Sequence, residues 1–223
     1  MAILDAELMH LKELVLKMGA MVEGSIRDSV NSLVERNDEL AKAVIEKDHQ
    51  VNALDVQIDE ECIRLLALMQ PMAGDLRFIT TAMKITTDLE RMGDNAVNIA
   101  ERALELNKEP ILKPYIDIPH MSHLAQGMTR DALDAFVRRD KKLATDVIMR
   151  DDEVDDLKFG IFEELISYMV KDPNTVSRAM RISFVAQYLE RIADHATNIA
   201  EMVIYLVAGK IIRHMAPPKE ENT

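Results

Sequence analysis

Apolar residues recur every three to four positions along most of the chain, the spacing that places them on one face of an α-helix. The first run predicts a helix over about 5–36. A short segment over 39–47 follows, and then a second long helix over 48–69. Pro71 ends this helix, because proline lacks an amide donor and restricts the residue before it. A third helix is predicted over 76–107.

A proline-containing stretch separates this first half from a second half of similar plan. Pro110, Pro114 and Pro119 lie within it, which is typical of a linker. Gly209 stands where the last helix should end. The predicted helices of the second half cover 121–139, 141–150, 151–170 and 175–208. The chain is thus divided into a first three-helix bundle (1–107), a linker (108–119), a second three-helix bundle (120–209) and a flexible tail (210–223).

The two halves are copies of one unit. Residues 88–101 and 188–201 are identical at nine of fourteen positions, at a constant offset of 100. Upstream, four positions of the first half match four of the second at an offset of 103. A repeat of this length indicates one supersecondary unit used twice. We therefore predict an all-α protein of two pseudo-symmetric three-helix bundles related by internal duplication. The upstream matches are Asp48, Val51, Leu54 and Ile58 with Asp151, Val154, Leu157 and Ile161.

Composition agrees with helices and excludes several classes of function. Glycine and proline number 7 each, aromatic residues make up 4% of the chain, and tryptophan is absent. The net charge of −12 argues against direct binding to nucleic acid, which needs a basic face. No apolar run approaches the ~20 residues that span a bilayer, so we expect membrane contact only through partners. The single cysteine, Cys62, permits no intrachain disulfide and fits a cytoplasmic location.

Each half carries a stripe of acidic and amide side chains on its last long helix. At 100° per residue the four positions fall within an arc of about 80°. A solvated polar face would explain such a stripe. However, like charges one turn apart cost about 0.2–0.5 kcal/mol, and both halves repeat that arrangement. The stripe residues are Glu90, Asp94, Asn98 and Glu101 in the first half and Glu190, Asp194, Asn198 and Glu201 in the second.

Carboxylate oxygens on two facing helices are suited to hard or borderline cations such as Mg²⁺, Ca²⁺, Mn²⁺ or iron. Acidic and amide residues near the start of the preceding helix could face each stripe. Alternatives with the same spacing exist on that helix, and Asp48, Asp151 and Asp152 could instead be helix N-caps. The first choice is Asp48 with Asn52 and Asp151 with Asp155, and the alternatives are Asp55 with Asp59 and Asp152 with Asp156.

Other site chemistry is weakly represented. The stripes lack the Glu-x-x-His signature of ferritin-like di-iron bundles. His195 stands where the first half has Asn95, and we interpret it as a residue beside the metal ligands or on the surface. The sequence contains no nucleophile elbow, P-loop, dinucleotide fingerprint or cysteine cluster. We therefore expect no enzymatic activity.

The repeated segments resemble a known family. Residues 89–94 and 189–194, each leading to Asn-Ile-Ala-Glu, resemble the paired acidic motifs of PhoU proteins. The segment 71–77, Pro-Met-Ala-Gly-Asp-Leu-Arg, resembles that family's turn between helices. The resemblance extends over about 4–209. It implies two three-helix bundles packed side by side.

The resemblance also implies a function and a ligand set. PhoU proteins are cytoplasmic regulators of the phosphate ABC transporter. They help a membrane sensor histidine kinase keep the phosphate-starvation response off, and a homodimer is expected. Some bind multinuclear metal clusters, so iron, manganese, magnesium or zinc ions are expected here. The implied ligands are Glu90, Asp94, Glu190 and Asp194, followed by Asp48, Asn52, Asp151 and Asp155.

Three functions stay open at this point. The first is a regulatory interaction protein that binds the transporter's ATPase subunit and the kinase. The second is a carboxylate-bridged metal-binding or metal-storage protein, or a metalloenzyme. The third is a helical adaptor whose acidic stripes are inert.

Overall fold

The computed structural model describes residues 2–209, and the predicted tail 210–223 lies outside them. Within these residues the chain forms seven α-helices and one short 3₁₀ turn, with no strand. The prediction of an all-α fold is confirmed. The helices are α1 (Ala2–Val34), α2 (Asp38–Met69), α3 (Ala73–Leu106), α4 (Asp117–Arg138), α5 (Lys141–Met149), α6 (Asp151–Lys171) and α7 (Val176–Ala208), with the 3₁₀ turn at Pro173–Thr175.

Helices α1, α2 and α3 pack against one another in the first half, and α7 packs against α4, α5 and α6 in the second. The turn before the second helix of each half shows the duplication directly. Arg36 and Arg139 both adopt left-handed backbone conformations, with φ of 55° and 53°. Asn37 then caps α2 by accepting from the Leu40 amide, and Asp140 caps α5 in the same manner. The second helix of each half therefore begins with the same kind of side-chain cap.

The halves differ in one helix. A short segment at 39–47 was predicted to be separate from the helix that follows it, and this is wrong, because α2 is continuous. In the second half the chain does break, at Arg150, between α5 and α6. Three acidic residues at the start of α6 favour a helix N-terminus there. Arg150 binds Asp131 of α4 at 2.6 Å, which holds the break in place.

One apolar core runs through both halves. It contains buried residues from α1, α2 and α3 together with residues from all four α-helices of the second half. The rings of Phe78 on α3 and Phe136 on α4 stack with centroids 4.8 Å apart. Helices α1 and α4 approach closely at Gly19, where a Cβ atom would overlap the side chain of Leu133. The halves are therefore joined by tight packing.

Ion pairs also link the two halves of the chain. Arg181 of α7 binds Glu105 of α3 at 2.7 Å and Glu109, just after that helix, at 2.6 Å. Arg130 of α4 pairs with Glu23 of α1. None of the helices over 2–209 combines the length and apolar character needed to cross a membrane.

Candidate metal-binding clusters

The stripes of α3 and α7 lie beside the outer helices, with Glu90 and Glu190 half-buried and Asp94 and Asp194 exposed. In the first half, Asp48 of α2 lies beside Gly93, where a Cβ atom would be 3.4 Å from its Oδ1. Asp55, one heptad further along α2, is close enough to Glu90 for their charges to interact. We call Asp48, Asp55, Glu90 and Asp94 the first acidic cluster.

Burial and mutual repulsion raise the pKa values of carboxyl groups in the first acidic cluster. Burial raises the pKa of Glu90, and the charges of Asp94, Asp55 and Asp48 raise it further. Burial also raises the pKa of Asp94, with Asp48 adding to the effect. The pKa of Asp55 is raised by burial as well. Within residues 2–209, no side chain donates a hydrogen bond to Glu90 or Asp94, and the nearby charge of Arg91 offsets only part of the rise in the pKa of Glu90.

The second acidic cluster comprises Asp151, Asp155, Glu190 and Asp194. Burial raises the pKa of Asp151 to about 6, and the charge of Asp194 is the next cause. Burial raises the pKa of Asp194, followed by the charge of Glu190. The same kind of carboxylate group is therefore present in both halves.

A lysine lies inside the second acidic cluster. The Nζ of Lys158 on α6 is 2.8 Å from Asp155 Oδ1 and 2.7 Å from Glu190 Oε1. Burial lowers the pKa of Lys158, but hydrogen bonds to Asp155 and Glu190 outweigh it and the net direction is upward. The amide of Gln187 donates to the other oxygen, Glu190 Oε2, at 2.7 Å. Both oxygens of Glu190 thus have partners.

The remaining predicted ligands are placed differently. Asn52 donates to Asp48 Oδ2 at 2.9 Å but is exposed. Glu101 lies about 16 Å along the axis from Glu90, at 1.5 Å per residue, so one ion cannot bind both. Glu101 is instead near Arg102, at 3.6 Å. Glu201 lies equally far from Glu190 along the axis of α7, so one ion cannot bind both of these residues either. Neither Asn98 nor Glu201 contacts another site residue within the described part of the chain.

The capping alternative is wrong for Asp48, Asp151 and Asp152, because none of them is the N-cap of its helix. Asp48 lies in the middle of α2, whose cap is Asn37, so Asp48 is not an N-cap. Asp151 is the first residue of α6, after Arg150, and caps no amide with its side chain. Both aspartates are therefore available to the clusters.

His195 is half-buried, so the surface interpretation is wrong, but it lies close enough to Asp194 for its charge to lower the pKa of that carboxyl group, as a residue beside the proposed ligands would. Its Nδ1 is 2.8 Å from Oδ1 of Asp88, a buried residue of the other half. Asn198 of the second stripe also points toward Asp88, at 3.5 Å. Asn95, the counterpart of His195, is buried and donates to the backbone of Arg91. These positions belong to the contact between α3 and α7.

Sequence reasoning missed Lys158, Gln187 and Asp88. The internal offsets could have found the first two, since they place Lys158 opposite Asp55 and Gln187 opposite Thr87. Asp88 stands opposite Tyr188, and no pattern in the sequence connects it with His195.

The donor chemistry of the clusters fits a hard cation. Carboxylates that repel one another in a half-buried place are stabilised when a cation binds. In the second cluster a cationic ammonium group already stands among them. However, no three His, Cys, Asp or Glu side chains among residues 2–209 are arranged to hold one metal ion. The carboxylates adjoin as pairs, so a bound ion would require further oxygen donors.

The fold and clusters define a class: a duplicated helical-bundle protein with an acidic cluster in each half. Comparison with known proteins identifies the family. The PhoU domain model matches residues 15–103 and 118–203, one match for each half. This chain belongs to the PhoU family, which confirms the resemblance read from its motifs.

Similar proteins cover nearly the whole chain. The phosphate-specific transport system accessory protein PhoU homolog of Aquifex aeolicus is 48% identical over 208 residues, 93% of this chain and 94% of that protein. The crystal structure of PhoU from Pseudomonas aeruginosa covers 92% of this chain and 99% of its own, with a TM-score of 0.89 and 43% identity. The phosphate transport system regulatory protein PhoU from Streptococcus pneumoniae covers 93% and 98%, with a TM-score of 0.87 and 31% identity.

Proposed function

We propose that this protein is a cytoplasmic regulator of phosphate homeostasis that acts with a phosphate ABC transporter. The observation that carries the proposal is its similarity, over 93% of the chain, to a phosphate-specific transport system accessory protein. The relatives' names describe an accessory role, and we therefore propose regulation rather than catalysis. In detail, it keeps the phosphate-starvation response off while phosphate is plentiful, together with a membrane sensor histidine kinase.

The charge of the chain supports partners of this kind. Its net charge of −12 suits docking on basic surfaces, and cytoplasmic loops of membrane proteins are enriched in lysine and arginine. Contact with the transporter's ATPase subunit would bring it to the membrane without a membrane-spanning segment of its own. Such binding should weaken with salt, since exposed charges are screened over ~8 Å at physiological ionic strength.

Deletion of the gene tests the regulatory role. A reporter of phosphate-starvation genes should be active in the deletion strain in phosphate-rich medium. Re-expression of the wild-type chain should silence it. A reporter that stays silent at high phosphate in the deletion strain, and rises normally on starvation, would remove the negative-regulator proposal. A pull-down from membranes of phosphate-replete cells, at low and high salt, would identify the partners.

We also propose that the acidic clusters bind divalent or ferric ions, with iron, manganese, magnesium and zinc as candidates. The support is the mutual repulsion among the carboxylates of the first cluster and the presence of an ammonium group within the second. In the first half, carboxylates among Asp48, Asp55, Glu90 and Asp94 would contribute to binding the ion together with further oxygen donors, since no three of them are arranged to hold one ion. A bound ion would neutralise like charges and fix the outer helix against the inner one. This is also the observation that favours the second candidate function, metal storage.

Elemental analysis tests the metal. The double variant Asp94→Asn, Asp194→Asn should lose bound metal and keep its helical content, because both side chains are exposed and outside the core. The matched control is Glu101→Gln, Glu201→Gln, which alters the same two helices away from the clusters and should keep its metal. Full metal content in the first variant would contradict the ligand assignment. A stoichiometry of many ions per chain would favour storage over regulation.

A further inference from the structure

The turn between α4 and α5 is strongly basic in a chain that is acidic overall. Residues 138–142 read Arg-Arg-Asp-Lys-Lys, and all four basic side chains are exposed. At the internal offset of 103, the corresponding turn of the first half covers residues 35–39 and reads Glu-Arg-Asn-Asp-Glu. The two copies therefore share the turn but carry opposite charge there.

The arginines at the centre of the two turns make different contacts. Arg36 and Arg139 occupy equivalent positions, and both have a left-handed backbone conformation. Arg36 donates to the carbonyl oxygens of Asn107 and Glu109, so its charge is held within the fold. Arg139 is exposed and has no hydrogen-bond acceptor among residues 2–209. Its positive charge is therefore available to a partner.

Helix α1 brings a further cation to the same place. The Nζ of Lys12 lies 5.3 Å from the centroid of the Phe78 ring, and the guanidinium carbon of Arg139 lies 5.9 Å from that centroid. The ring stabilises both cations by its negative face. Neither cation pairs with a carboxylate in the described part of the chain. Two separate segments thus place unpaired positive charges side by side.

Carboxylates near these cations are few, and some are engaged. Asp140 accepts from two backbone amides at the start of α5, and Asp134 pairs with Arg138 at 3.2 Å. Glu13 and Asp75 add negative charge nearby in the sequence. The cations still outnumber the free carboxylates. We call the four unpaired basic residues the basic end: Lys12, Arg139, Lys141 and Lys142.

An exposed apolar turn lies at the same end of the molecule. Helix α3 begins at Ala73, about 8 Å along its axis from Phe78. Met72 precedes it and is 81% exposed. Gln70 and Ala73, on either side, have φ of 45° and 44°, which is uncommon for residues with a Cβ atom. A strained backbone therefore presents an apolar side chain to the solvent.

We propose that the basic end, together with Met72, binds a membrane surface that contains anionic lipids. Lysine and arginine near such a surface each add to the affinity, and an exposed apolar side chain can enter the boundary between headgroups and acyl chains. The rest of the acidic chain is repelled by the same surface, so this orientation is favoured over others. Exposed Met72 favours lipid over an acidic protein segment, which would need the cations alone. The proposal is separate from the regulatory role, because it requires no transporter.

Co-sedimentation of the purified full chain with lipid vesicles tests the proposal. The wild type should bind vesicles of mixed phosphatidylglycerol and phosphatidylcholine at low salt and should not bind vesicles of phosphatidylcholine alone. Added sodium chloride should release it. The triple variant Arg139→Gln, Lys141→Gln, Lys142→Gln should lower the partition coefficient about 100-fold, since each cation removed costs about fivefold.

The matched control removes three exposed lysines elsewhere. Lys47→Gln, Lys108→Gln and Lys171→Gln together change the net charge by the same amount and should bind nearly as the wild type does. Circular dichroism should show unchanged helicity in both triple variants.

The apolar contribution has its own pair of variants. Met72→Ser should weaken binding about fivefold to tenfold, because an apolar side chain is lost from the lipid boundary. Met149→Ser changes a methionine that is 67% exposed at the far end of α5, and it should leave binding unchanged. If the triple variant of the basic end does not fold, Met72→Ser and the salt dependence still decide.

Three results would overturn the proposal. Equal binding to vesicles with and without phosphatidylglycerol would show that charge is not the cause. Release by inorganic phosphate beyond that by chloride at equal ionic strength would assign the cations to a free anion. No binding of the wild type to either vesicle, with loss of a membrane-protein partner from a pull-down by the basic-end triple variant, would assign the surface to an acidic protein segment.

Discussion

The first and second acidic clusters occupy the same positions in two copies of one unit. They differ in the charged groups that surround their carboxylates. In the second cluster Lys158 bridges Asp155 and Glu190. In the first, Asp55 takes the place of the lysine, and it adds a negative charge near Glu90. Apolar packing has kept the two helical frames alike, while charge compensation at equivalent positions has diverged. A duplication can thus retain its fold and separate the properties of its two sites.

The largest expected effect concerns the apolar core, to which both halves of the chain contribute. Phe136→Ala should lower the free energy of unfolding by about 3–5 kcal/mol, because a fully buried ring is lost and a cavity remains. Thermal or denaturant unfolding followed by circular dichroism measures it. Since Phe136 stacks on Phe78 of the other half, the transition should stay single.

The control for Phe136 is a phenylalanine on the same half that faces solvent. Phe159 on α6 is 63% exposed, and Phe159→Ala should change stability by less than about 0.5 kcal/mol. Two separate transitions in Phe136→Ala would show that the two halves unfold independently. The clusters could then be compared only half by half.

The next effect concerns Lys158. Lys158→Met, measured with a chelator present, should lower the free energy of unfolding by about 1–2 kcal/mol, because Glu190 loses its cation in a half-buried place. Lys158→Arg should restore most of the loss. Lys42 pairs with Glu39 on the open surface, so Lys42→Met should have a smaller effect. If Lys158→Met is as stable as the wild type, the ammonium group does not compensate the second cluster.

The fold was largely predictable from the sequence, for reasons visible in particular residues. Helical periodicity gave the long helices, and the match of 88–101 with 188–201 gave the duplication. The continuity of α2 was not predictable from periodicity alone. The second half breaks at Arg150 because that residue binds Asp131 of a different helix and is followed by three acidic residues. A contact across helices thus decides whether the chain bends.

The site was predictable only in part. Helical spacing placed Glu90 with Asp94 and Glu190 with Asp194, and it offered Asp48 and Asp55 as separate alternatives on α2. The structure brings both of these to Glu90, since they lie seven residues apart on one face. Spacing extended the stripe to Glu101 and Glu201, which the helical rise carries away from the cluster. The pairing of Lys158 with Glu190 depends on how α6 lies against α7, and spacing along one helix cannot supply it.

Asp151 offers a pH-dependent test of repulsion in the second cluster. Its folded-state pKa of about 6 lies above the ordinary value of 3.8, so the ionised carboxylate destabilises the fold. That penalty is fully present above pH 6 and disappears as the pH falls toward 3.8 and the group is protonated in both states. Asp151→Asn should therefore stabilise the chain at pH 7 by about 1 kcal/mol, a modest gain because solvent screens the repulsion.

The measurement for Asp151 is chemical denaturation with chelator between pH 4 and pH 8. The advantage of the variant should shrink steadily below pH 6. Asp152→Asn, which changes the exposed neighbour on the same turn, should show a weaker dependence. A constant difference at all pH values would mean that the Asn side chain packs better, and that neither the burial of the charged Asp151 nor repulsion from its neighbours is the cause.

The smallest expected effect concerns a buried polar pair, Asp88 with His195, that joins the two halves. Asp88 and His195 meet at 2.8 Å across α3 and α7, while their counterparts Tyr188 and Asn95 form no such contact. Because the pair is mostly buried, a double-mutant cycle of Asp88→Asn and His195→Asn should give a coupling of about 0.5–1 kcal/mol. Unfolding of the wild type, both single variants and the double variant measures it. A coupling near zero would show that this pair does not contribute to joining the helices. A coupling of the expected size would show that the two copies, once separate, acquired an asymmetric polar contact where their inner helices meet.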